Sequence, residues 1–146
     1  MQEAGKELSI VNIGDFNSPS QESEAKQTEI FEKNAKIIEE KGTHKDWVQR
    51  ELALQAMQET YEIVSAKLLH QKPDFIAQCL AILKQCLDEN NIQIYLVAIQ
   101  VTSIFLTKVL YVELVMESLP GLIKSVVLRT TDTNTRVRKK SIDVVF

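Results

Sequence analysis

Residues 89–99 read ENNIQIYLVAI and residues 132–142 read DTNTRVRKKSI, and the two stretches align at an offset of 43. Asn91 answers to Asn134, Ile94 to Val137, Ala98 to Ser141 and Ile99 to Ile142. Further back, Ala53-Leu54 answers to Ala98-Ile99 at an offset of 45. In the aligned pair 89–99 and 132–142, an asparagine stands where a helix would start, and a small residue recurs about two turns further in. This recurrence decides the fold.

The bulk numbers agree with it. A chain of 146 residues makes one ordinary domain, long enough to bury roughly 68–70% of its unfolded surface. Four glycines and three prolines are few for that length, which favours long helices over a β-rich design. The net charge is −3 and the pI near 5.5, so no global basic field points to nucleic acid or an anionic membrane. Cys79 and Cys86 are seven residues apart, about 10 Å along a helix, beyond disulfide reach; they read as two buried thiols in a reducing compartment. His44 and His70 have no partner at ligand spacing, so no metal and no cofactor is expected.

From the repeat outward, the chain divides into helices. Residues 1–17 have no helical period and are expected to be a flexible leader. Ser18 is a capping candidate with Pro19 in the first turn, and Ile30, Phe31, Ala35, Ile37 and Ile38 carry the first helix to Lys41. Gly42 is read as a C′ stop. Asp46 then caps a helix from Trp47 to about Leu69, and Asp74 caps the next, ending at the loop Asp88–Asn91. A fourth helix covers about Ile92 to Lys108, a fifth about Tyr111 to Arg129 with a kink at Pro120-Gly121, and a sixth begins after TTDTNT. Residues 94–116 are apolar, but their uncharged run stops at Lys108 after about fifteen residues, short of a membrane span. They predict helices buried on several sides, in a soluble chain.

Helix pairs recurring at 40–47 residues are the signature of HEAT or armadillo arrays, and this spacing leaves no room for the third short helix of an armadillo repeat. The predicted fold is therefore an all-α HEAT-repeat α-solenoid over residues 18–146, with repeats at about 20–69, 74–108 and 111–146, the third truncated. Six helices in three antiparallel pairs follow, and the loops Gly42–Asp46, Asp88–Asn91 and Thr130–Thr135 should line one edge. Trp47, the only tryptophan, closes the first of these loops. Its stripe of Arg50, Glu51, Leu54 and Gln58 is largely polar, which turns it off the core. Two readings of it stand level: an interface anchor, or a local plug on the Gly42 turn.

The ordered combination W-x-x-R-x-x-A-L (Trp47, Arg50, Ala53, Leu54) and D-x-N-x-R-V-R (Asp132, Asn134, Arg136, Val137, Arg138) resembles the first and third repeats of TOG domains. It looks most similar to the centrosomal, ciliary-tip members of that family, which also carry an aliphatic helix ahead of the tryptophan. The likeness covers about residues 25–146, the N-terminal half of a TOG paddle. What it implies is a non-enzymatic module gripping tubulin or microtubules by the loop edge. Trp47 would be the anchor, beside Lys45; Asn90 and Asn91 would represent the second loop, and Thr131, Asn134 and Arg136 the third. It also implies a cytoplasmic, cytoskeletal setting at microtubules, cilium tip or centriole, with other ciliary or centrosomal proteins as further partners. Because the chain stops within the third repeat, the expectation is a piece of a longer protein.

Charge patterning fits an acidic partner. Residues 129–140 carry +4 and residues 1–46 carry −4. Rival readings are a HEAT scaffold for a non-tubulin protein, and nucleic-acid binding through RVRKK, which lacks aromatic partners for bases. Enzymatic function is disfavoured, since no phosphate loop, GxSxG or HExxH occurs.

Overall fold

The computed structural model describes residues 17–145, with side-chain surroundings from 23 onward. The expected leader therefore lies outside the described residues but for Asn17, and so does the capping role of Ser18. Seven helices and no strand occur among the described residues: α1 (Asn17–Lys41), α2 (Trp47–Ile63), α3 (Ala66–His70), α4 (Pro73–Leu87), α5 (Ile92–Val109), α6 (Glu113–Val127) and α7 (Thr135–Val145).

The all-α expectation holds. Within pairs, α1 packs on α2, α4 on α5 and α6 on α7; between pairs, α2 packs on α5 and α5 on α7, while α4 packs on α6. Helices α2, α5 and α7 begin 45 and 43 residues apart, the offsets seen in the sequence. Their starts are also chemically equivalent. Asp46 Oδ1 accepts from the Val48 N–H, Asn91 Oδ1 from Ile94 and Asn134 Oδ1 from Val137, each at 3.1 Å. Ala53, Ala98 and Ser141, the small residues of the repeat, are all fully buried.

The predicted count of six helices is corrected to seven, because the long second helix breaks. Val64 is buried with extended backbone and Ser65 caps the short α3 through Leu68. The polar groups freed by the break find partners on other helices. Gln27 Oε1 of α1 accepts from the Ser65 N–H at 2.8 Å, and Lys108 of α5 donates to the Val64 carbonyl at 2.7 Å. Asp74 does not cap α4. Pro73 holds the first helical position, where its missing N–H costs nothing, and the cap position falls to Lys72 without a side-chain bond. Helix α6 is shorter than expected: Tyr111 precedes it in an exposed turn, and the helix runs on through Pro120 and Gly121.

Gly42 has a steric reason rather than a conformational one. Its backbone is not left-handed; an added Cβ would collide with Ile82 Cδ1 of α4 and lie 2.7 Å from the Ile38 carbonyl. The first turn is thus pressed directly onto the second pair. At the end remote from the loops, Phe31, Phe75, Tyr61 and Phe105 form an aromatic chain across α1, α4, α2 and α5, with successive centroids 4.6, 6.0 and 4.9 Å apart. The two cysteines are free and buried, and burial pushes the Cys79 thiol up to about 12 and Cys86 to about 11. Helix α5 has the length and hydropathy of a membrane span, yet it is packed against α2, α4, α6 and α7 and half of it is buried.

Candidate functional site

The three intra-pair loops, residues 42–46, 88–91 and 128–134, lie side by side because arginines bind them together. Arg50, one turn into α2, donates to the His44 carbonyl at 2.8 Å and the Lys45 carbonyl at 3.0 Å, closing the first loop on its own helix. The same guanidinium reaches across to Glu89 of the second loop in an ion pair of 3.1 Å. Arg129, at the end of the third pair's first helix, donates to the Glu89 carbonyl, pairs with Asp132 at 3.5 Å and stacks over the Tyr95 ring at 4.6 Å. Arg138 then donates to the Asp132 carbonyl at 3.2 Å.

Arg138 stands 88 residues after Arg50, and its acceptor Asp132 stands 88 after His44. The same arginine-to-loop bond is therefore made twice, in the first and the third helix pairs. In the middle pair the equivalent position is Tyr95, whose ring supports Arg129 instead. Tyr95 also joins α5 to α7. Its hydroxyl lies 2.6 Å from Ser141 Oγ, and because Ser141 donates to the Val137 carbonyl, Tyr95 is the donor. Burial, only partly offset by Ser141 and Arg129, keeps this phenol above its ordinary pKa.

The expected site residues divide into two groups. Trp47, Lys45, Asn90, Thr131 and Arg136 are exposed. Trp47 is the first residue of α2, outside the core, with 39% of its surface exposed. Asn91 and Asn134 are half-buried, and their Oδ1 atoms are occupied as helix caps, so their first duty is to start α5 and α7. Arg136 points to a groove between α5 and α7, lined also by Gln93 and Lys139, rather than standing in the third loop.

Sequence reasoning missed two kinds of residue here. Val48 and Ile92 are exposed aliphatic residues at helix starts on the same edge as Trp47. Their signal was available, since each follows a capping residue closely. Glu89 and Arg129 gave no signal: their roles depend on one carbonyl and one carboxylate meeting arginines 39 and 40 residues away. Compared with protein-family models, with curated proteins and with solved structures, the chain matches none.

Proposed function

We propose that this chain is a HEAT-repeat module of TOG type that binds tubulin, as a non-enzymatic adaptor, through the edge formed by its three loops. The observation supporting this reading is the bound row of loops with Trp47 exposed at its first position. A row locked by Arg50, Glu89 and Arg129 presents its side chains with little ordering cost on binding, which is what a recognition edge requires. Trp47, Val48 and Ile92 supply apolar contact, and Lys45 and Arg136 supply positive charge for an acidic partner surface.

The test is size-exclusion and sedimentation of the chain with unpolymerised tubulin and with microtubules, for the natural sequence and for Trp47→Ala. Binding weakened by roughly 2 kcal/mol, about thirtyfold, is the expected outcome for an aromatic anchor. A natural chain that co-elutes with neither form of tubulin would sink the reading, and a scaffold for another protein would take its place.

A further inference from the structure

Helices α5 and α7 leave a groove between them whose two walls are regular stripes. One wall is Gln93, Leu96, Val97 and Gln100 of α5; the other is Arg136, Lys139, Lys140 and Asp143 of α7, at successive helical turns. The cavity at this end measures about 440 Å³, and a second of similar size continues it past Gln100 and Lys140 to Ser103, Ile104 and Val144. From Gln93 to Ile104 the groove runs about 16 Å along α5, the length of roughly five extended residues.

Its charge is unbalanced. Among the described residues, Arg136, Lys139 and Lys140 enter no ion pair and no hydrogen bond, unlike Arg50, Arg129 and Arg138, which are all committed to the loops. Against these three cations the groove sets one carboxylate, Asp143. The cations run from Arg136 to Lys140, Lys140 and Asp143 line both cavities, and Ile104 and Val144 follow beyond them, an order that favours a ligand with carboxylates followed by an aliphatic side chain. No aromatic side chain lines either cavity, so nothing is offered for stacking nucleic-acid bases.

We propose that the α5–α7 groove binds a short acidic peptide segment of a partner protein, its carboxylates on Arg136, Lys139 and Lys140 and an aliphatic side chain against Ile104 and Val144. The groove lies beside the loop edge and shares Arg136 with it but does not use Trp47, so loss of Trp47 tests the loop edge alone and reversal of Lys139 and Lys140 tests the groove alone.

The test is fluorescence anisotropy with a labelled, end-blocked hexapeptide of four glutamates followed by two leucines. Its controls are the equivalent peptide with four lysines and a single-stranded thymidine oligonucleotide. The natural chain should bind the acidic peptide and not the basic one, and Trp47→Ala should bind it equally well. The combined variant Lys139→Glu, Lys140→Glu should bind it roughly tenfold more weakly or worse, with an unchanged melting temperature because both side chains are exposed. Equal binding by the charge-reversed variant overturns the proposal, as does preference for the oligonucleotide over the acidic peptide. Loss of tubulin binding in Trp47→Ala with peptide binding retained would leave this groove intact whatever becomes of the loop-edge reading.

Discussion

Arg50 on α2 and Glu89 between α4 and α5 form an ion pair of 3.1 Å, their side chains only 11% and 29% exposed. The arginine also holds two carbonyls of its own loop, so one guanidinium joins two helix pairs. Arg50→Ala would leave the Glu89 carboxylate and both carbonyls without this donor. A loss of about 2–3 kcal/mol in stability is expected, from bonds that involve charged groups. Arg50→Lys should recover only part of it, because an ammonium cannot serve three acceptors spread around a planar fork. Denaturant unfolding of the three proteins checks the order.

Trp47 and Ile94 should behave oppositely. Trp47→Ala should leave the unfolding midpoint nearly unchanged, since the residue lies outside the core. Ile94 is fully buried, and Ile94→Ala should cost about 2–5 kcal/mol. A Trp47→Ala protein that melts many degrees lower while still binding tubulin would make the tryptophan a structural plug.

Gly42→Ala is expected to destabilise although the substitution favours helices in general. The added methyl would meet Ile82 and the Ile38 carbonyl, and separating the first turn from α4 should cost about 1–3 kcal/mol. Pairing it with Ile82→Val, which removes the colliding Cδ1, should restore part of the loss in thermal unfolding.

Glu59 makes an acid-sensitive link between α1 and α2. It accepts from the buried Asn34 amide at 2.8 Å and lies 3.4 Å from Lys33, and these, Asn34 foremost, hold its pKa below the ordinary 4.5. A depressed folded-state pKa means the carboxylate stabilises the fold fully above the ordinary value, and that this contribution is lost as pH falls through the depressed one. The stability difference between the natural chain and Glu59→Gln should therefore be constant near neutrality and shrink on acidification. A difference independent of pH down to strong acid would contradict the assignment.

Much of this architecture was legible in the residues. Asp46, Asn91 and Asn134 announce helix starts because a side-chain oxygen bonding to an N–H two or three residues on is a local event, complete within one turn. Ala53, Ala98 and Ser141 announce where helices approach, since small side chains recur at the repeat distance. The exposure of Trp47 also followed from its polar stripe. The break after Ile63 did not, because Val64 and Ser65 read as helix until Gln27 and Lys108, 38 and 44 residues distant, bind the freed backbone groups. Likewise Gly42 looks from its neighbours like a conformational stop, whereas its reason is Ile82 on another helix. The division of the basic cluster was equally hidden: Arg129 and Arg138 bind loops while Arg136, Lys139 and Lys140 face a groove. Capping and periodicity are properties of neighbours along the chain, and the sequence carries them by itself. Which cation is satisfied, and which backbone break is tolerated, depends on groups that only packing brings together, and tertiary structure alone decided those.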